Sequence, residues 1–355
     1  MISRVLTKAG YLLIAVGWYL CASGSAKESP ELSKLTEGAY ARIVNPEGNA
    51  VGNAGFVVLE RSVLVFDTHF TPEAGQVLLS DIRAVTPKAI RYVVNSHAHA
   101  DHTHGNQVFP EAQLIAGTNA RRDVLQVDLP SLNRTTKVAE KQLEKLRQDA
   151  GKEKDPDLLA RIREQIKLRE DSLQTMSRLK IMVPVIALDD SLTIRDGKQE
   201  ACVSYIGVGH TTGDVVLFLP SQKIAYAGDL FFNAAIPYVQ DASILQWMKT
   251  LEVLLKLDAE KFVPGHGPVG TKKDVESFLA YFEELKALVQ PVVDRGDSVD
   301  QAVKEIAIPA KYASYRSQHL FPSNIQKMYA ELRSQQIAIK PPEGGSKKEA
   351  AKPLK

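Results

Sequence analysis

Three short patches, far apart in the chain, carry residue types that bind divalent metals: His97-Ala98-His99-Ala100-Asp101-His102, then His210 with Asp229 downstream, then His266. The chain has eight histidines, and five of them fall in these patches. With Asp101 and Asp229 the set reaches seven candidate ligands, enough for two divalent cations. Imidazole nitrogen and carboxylate oxygen together suit Zn²⁺, which tolerates varied geometry. A single histidine is usually structural or exposed. Four ligand types within six positions, straight after an apolar run, point instead to a metal. The chemistry implied is hydrolysis by a water whose pKa the cations bring toward neutrality. No Gly-x-Ser-x-Gly elbow is present, so water is expected to attack directly, without a covalent enzyme intermediate.

Each patch follows an element able to aim it. Ile90–Val94 reads as a short strand running into Asn95-Ser96-His97. Alternate residues at a strand end project the same way, so His97 and His99 can share one cation. A turn into a loop or helix start then swings Asp101 and His102 toward a second. His210 follows an apolar strand, Cys202–Val208, within the glycine-rich run Gly207 to Asp214, where glycine lets the backbone turn sharply. Asp229 follows the strand Ile224–Ala227 and Gly228; His266 follows Val263-Pro264-Gly265.

Around these, Ala54–Leu59 and Val63–Phe66 read as a hairpin, and Gln113–Ala116 and Val215–Leu219 as further strands. Pro72–Val85 reads as a helix on the spacing of Val77, Leu78, Ile82 and Val85, with Thr71 as N-cap and Pro72 in the first turn. Ile244–Leu257 and Asp274–Val293 are also helical in pattern. Alternating strands and helices place the chain in the α/β class.

Two segments stand outside the alternation. Residues of about 131–182 are charge-rich and helical, broken at Asp155-Pro156, and predict an inserted helical hairpin. A solvated arm is the favoured role for it, ahead of a lid over the site or a dimer contact. Residues 296–336 predict a helical C-terminal appendix, and 340–355 a disordered tail.

Composition bounds the rest. The 355 residues suffice for one large domain, and a formal charge of +2 argues against nucleic acid as an obligatory partner. Arg4 and Lys8 precede an apolar run and a small-residue stretch ending at Ala26, so residues 1–26 read as a cleaved signal peptide. The product would be exported, periplasmic or extracellular, with no stable membrane span. Cys202 would then be the sole cysteine, expected as a buried structural thiol.

The His97-x-His99-x-Asp101-His102 box with His210, Asp229 and His266 resembles the metallo-β-lactamase superfamily. The resemblance covers a domain of residues 38–295 and implies a four-layer αββα sandwich with its site at one edge, between the two sheets. It implies His97, His99 and His210 on one metal, Asp101, His102 and His266 on a second, and Asp229 bridging both. Asp101 and Asp229 are the expected catalytic residues, Asp101 also holding the nucleophilic water by a hydrogen bond. Asp67 matches an acidic residue that orients a ligand histidine, with capping of the next helix as its other reading. Two Zn²⁺ are implied, with iron or manganese as alternatives.

A bridging Asp resembles the glyoxalase II, lactonase and phosphodiesterase branches more than the β-lactamases, which carry Cys or Ser there. The leading reading is an exported hydrolase of an ester, thioester, lactone or amide in a small-molecule substrate. A β-lactamase proper is the second. The third is a non-hydrolytic iron redox enzyme, or a metal-holding partner of a periplasmic dehydrogenase. The hairpin offers a surface for oligomerisation. His69 and His104 are left as loop histidines, His104 with the option of lining the pocket, and His319 has no assigned role.

Overall fold

The computed structural model describes residues 31–44 and 50–339, so the expected leader and tail lie outside the described residues. One sheet has seven strands in the order β1 (Glu31–Thr36), β2 (Ala39–Ile43), β3 (Ala54–Val58), β4 (Ser62–Phe66), β5 (Ala89–Val94), β6 (Gln113–Gly117) and β7 (Ile186–Leu188). Its first four strands are antiparallel and β4 to β7 run parallel. The other sheet has five: β8 (Ser191–Asp196), β9 (Gln199–Tyr205), β10 (Val215–Leu219), β11 (Ile224–Phe232) and β12 (Lys261–His266). Strands β8 to β11 are antiparallel, and β12 lies parallel beside β11.

The sheets pack face to face through apolar residues at alternate positions, such as Val57, Leu64 and Phe66 against Val203, Leu217 and Tyr226. Helices cover both outer faces. Leu78 and Ile82 of the Pro72–Val85 helix press on Phe56, Val63 and Val93. Trp247, Phe278 and Phe282, from helices Ile244–Leu254 and Lys272–Arg295, press on Ala225, Phe231 and Phe262. Layer order is therefore αββα, as expected. The C-terminal appendix forms helices Val299–Glu305 and Phe321–Ile339 and joins this same outer core through Phe321, Ile325, Met328 and Leu332.

Several boundaries differ from expectation. The strand expected to end at Val208 ends at Tyr205, whose partner Val215 starts β10, so the ladder has nothing further to pair with. Val208 instead offers its carbonyl to the Thr250 hydroxyl at 2.7 Å. The strand expected to stop at Ala227 runs on to Phe232, because β12 continues beside it. Val77 and Val85 face solvent, and Ala74 and Gly75 complete the buried stripe. Cys202 is half-buried on β9, not enclosed.

The insertion consists of helices Leu129–Lys152 and Pro156–Arg178, with the Asp155 carboxylate accepting from Asp157 N and Leu158 N as an N-cap. The second helix buries Arg169, Ser172 and Met176, and the first Thr135, Ala139 and Leu143. Its start is fused through a single π-helical turn, Val124–Asp128, to the helix after β6.

Candidate metal centre

Strand β5 stops at Val94, so His97 and His99 sit on the following loop rather than on the strand. His99 then caps a short helix, Ala100–Thr103, which carries Asp101 and His102 on its only turn. His210 comes from the loop between β9 and β10. The Asp214 carboxylate braces that loop, accepting from Thr211 N and Thr211 Oγ1 at 2.8 and 2.7 Å. Asp229 lies within β11, just past a break in its register with β12, and His266 ends β12. Two glycines permit this crowding. Gly228 has φ +53°, and a Cβ there would meet Ser96 Cβ at 2.3 Å; a Cβ on Gly265 would meet Asp229 Oδ1 at 1.8 Å.

All seven predicted ligands meet. His97, His99, His210 and Asp229 each offer a donor atom within 4.8 Å of the others, and so do Asp101, His102 and His266. Asp229 faces both groups: Oδ1 is 3.1 Å from His102 Nε2, and Oδ2 is 3.2 Å from His210 Nε2 and 3.4 Å from His266 Nε2. Asp101 Oδ2 lies 3.4 Å from His102 Nε2 and 3.3 Å from His266 Nε2.

Partners on the far side of four of the five rings fix which nitrogen looks inward. Asp67 accepts from the Ser96 hydroxyl at 2.8 Å, so Ser96 Oγ must accept from His97 Nδ1 at 2.9 Å. Asp67 also accepts from His102 Nδ1 at 2.8 Å and from Ser96 N at 2.7 Å. The Tyr238 carbonyl takes the His210 Nδ1 hydrogen at 3.1 Å, and Asp241 pairs with His99 Nε2 at 3.2 Å. The inward nitrogens of His97, His99, His102 and His210 are thereby turned toward the centre. His99 Nδ1 and His210 Nε2 stand 2.9 Å apart, a separation that calls for a proton or a cation between them. His97 Nε2, His102 Nε2 and Asp229 Oδ1 are buried with no hydrogen-bond partner. Orphaned donors and acceptors of this kind are costly in a protein interior, and a cation satisfies them together. The residues therefore suit a metal centre.

Charges agree. Burial holds His97 well below the ordinary histidine value, with nearby imidazoles adding to the effect, and burial takes His210 down to about 3. Burial opposes protonation of His266, but Asp229 and Asp101 outweigh it and raise the ring to about 9. Asp101 and Asp229 are held well below the usual carboxylate range, against burial, by His102 and His266. Lacking a metal, the centre would balance its carboxylates with imidazole protons, which metal binding displaces.

Of the neighbours, Asp67 orients His102 and does not cap the next helix, which Thr71 caps through its hydroxyl. His69 is buried, its Nδ1 2.8 Å from the Gly52 carbonyl, and burial lowers it to about 3. Sequence reasoning missed Ser96 and Asp241. Adjacency to His97 could have exposed Ser96, but Asp241 lies 142 residues from His99 and gives no local signal.

A cavity of about 130 Å³ opens onto the centre, lined by the ligands His99, Asp101, His210, Asp229 and His266 and by Phe70, His104, Asp123 and Tyr238. Its remaining wall comes from the insertion and its approach: Val127, Asp128, Ser131, Leu132 and Thr135. This corrects the favoured view of the hairpin as a solvated arm. Its base lines the site, with Val127 and Asp128 coming from the π-helical turn that precedes the first helix.

A family model described as the Metallo-beta-lactamase superfamily matches residues 48–123 and 137–266. The chain is similar to a metallo-beta-lactamase type 2 of Bacteroides fragilis, 35% identical over 100 residues, 26% of this chain and 40% of the relative. That match spans well under two thirds of the relative's own length. A metallo-beta-lactamase type 2 of Bacillus cereus is 23% identical over 231 residues, 63% of this chain and 71% of the relative. In fold the chain is similar to a metallo-beta-lactamase from Pontibacter korlensis, with TM-score 0.51 and 18% identity over 72% of this chain and 99% of that one.

Proposed function

The chain belongs to the metallo-beta-lactamase superfamily of metal-dependent hydrolases, and from that premise we propose that it is an exported dinuclear zinc hydrolase of an ester, thioester, lactone or amide. The observation that carries this reading is Asp229, one carboxylate facing two groups of ligand atoms. His97, His99 and His210 would hold one cation, Asp101, His102 and His266 the other, with Asp229 between them. Bound there, the cations would supply a hydroxide near neutral pH and an electrophilic contact for the substrate oxygen. Asp101 stands beside His102 and His266, where its second oxygen can accept a hydrogen bond from the attacking water. Tyr238 and Phe70 line the cavity beside the ligands. Export rests on the leader-like pattern of residues 1–26.

Elemental analysis of the protein lacking residues 1–26 tests the reading, beside an Asp101→Ala/His102→Ala variant. About two zinc per chain, falling to about one in the variant, supports it. One iron, or no bound metal, overturns it. The similarity to named metallo-beta-lactamases favours a second reading, hydrolysis of a β-lactam. Turnover of a chromogenic cephalosporin at a rate above that of lactones and thioesters would establish it.

A further inference from the structure

The cavity beside the metal centre is not neutral in its demands. Among the described residues that line it there is no lysine or arginine, while Asp123 and Asp128 line it and belong to neither ligand group. Arg122 approaches Asp123 at 3.6 Å but is not part of the lining. Asp128 faces His104, Oδ1 to Nε2 at 3.3 Å. A carboxylate oxygen accepts, so His104 Nε2 carries a hydrogen, and in the neutral ring Nδ1 is an acceptor. That Nδ1 has no hydrogen-bond partner, on a side chain 4% exposed. Asp128 Oδ2 is also without one, and so is the hydroxyl of Thr135, 2% exposed on the first insertion helix. His104 is held flat on Phe70, ring centroids 5.8 Å apart. His104, Asp128 and Thr135 all line the cavity that the metal ligands also line, and each carries a buried polar atom without a hydrogen-bond partner.

Buried acceptors left unpaired are expensive, so a ligand that supplies hydrogens there gains more than one that does not. The π-helical turn that ends at Asp128 explains the placement, for such turns interrupt regular helices mostly where a side chain must be re-aimed. We infer that His104, Asp128 and Thr135 form a specificity subsite for a hydrogen-bond donor on the substrate, preferentially a primary ammonium, and that a substrate bearing a carboxylate at this position is rejected. This rests on the hydrolase reading above and narrows it. β-Lactam antibiotics carry a carboxylate beside the ring, and phosphodiesters are anionic throughout, so both are disfavoured against neutral or amine-bearing esters, amides and lactones. The charge argument and the unpaired atoms point the same way independently.

Two measurements on zinc-loaded protein test the subsite. The first is binding, by calorimetry, of two thiol ligands equal in length and metal-binding group, one ending in a primary ammonium and the other in a carboxylate. The ammonium ligand is expected to bind at least about tenfold more tightly. Asp128→Asn is expected to erase most of that ratio, and Asp128→Lys to reverse it. Equal binding, or tighter binding of the carboxylate, overturns the inference; so does a ratio that Asp128→Lys leaves unchanged. The second is turnover of matched p-nitrophenyl esters with the same two termini. Turnover of both at equal kcat/KM sinks the subsite while leaving the hydrolase reading intact. Charge-selective binding of the thiols with no turnover of any ester sinks the hydrolase reading while leaving the subsite intact.

Discussion

The Asp67 carboxylate accepts from His102 Nδ1 at 2.8 Å and, through the Ser96 hydroxyl, also sets the outward nitrogen of His97. One buried side chain therefore orients a ligand in each of the two groups. Asp67 does this from a backbone with φ +58°, a conformation that costs a non-glycine residue of order 1 kcal/mol or more.

Asp67→Asn is expected to weaken metal binding by about 10- to 100-fold, because an amide nitrogen cannot accept and one imidazole loses its anchor. Competition against a zinc-chelating dye would read it. The weakening should reach both cations; loss confined to one would show that Ser96 holds His97 without Asp67.

At His99 the anchor is Asp241, 3.2 Å from Nε2. Burial lowers the pKa of His99, and the carboxylates of Asp241, Asp101 and Asp229 together more than restore it. Asp241→Ala should free the ring to rotate and weaken only the cation shared with His97 and His210, again by about 10- to 100-fold. The absorption spectrum of the cobalt-substituted protein would show this as the loss of one of two titration steps.

Gly265 touches the bridging carboxylate. A methyl group there would displace Asp229, so Gly265→Ala should lower the metal content below two per chain and cost about 1–3 kcal/mol of stability. Gly151, near the end of the first insertion helix, has nothing within 4 Å of an added Cβ. Its replacement by alanine should stabilise by up to about 1 kcal/mol. Thermal melts and zinc analysis of the two variants, measured together, separate crowding from a general intolerance of glycine loss.

Burial lifts Asp214 from 3.8 to about 6, against the hydrogen bonds from Thr211. The folded chain then binds a proton that the unfolded chain has released between those pH values. Stability from this group is accordingly present at low pH and lost as pH rises through that window, by about 3 kcal/mol for two pKa units. In chelator, the difference in unfolding free energy between wild type and Asp214→Asn should shift by that amount between pH 4 and pH 7, in favour of the variant as pH rises. A pH-independent difference would contradict it.

Much of the centre was legible because its ligands cluster by type. The box from His97 to His102, His210, Asp229 and His266 converge as the resemblance implied, and the Asp155 break in the insertion is where its sequence placed it. What escaped had a common cause. Strands β1, β2 and β7 are short, or mix charged with apolar residues, and carry no clean alternation, while β8 alternates but has only Leu192 and Ile194 as apolar positions. The ends of β9 and β11 depend on a partner strand rather than on their own residues. Asp241, Asp128 and Thr135 act through neighbours distant in the chain, and no spacing announces them.

The seven candidate ligands span residues 97 to 266, four of them between β5 and β6 of one sheet and three on or beside the strands of the other. Neither half of the sandwich holds either group of ligands complete, so a cation held by them would be captured only once the two halves have docked. Metal uptake would then come late in maturation, and a bound cation would act as a clasp across the seam, resisting the separation of the sheets that unfolding requires.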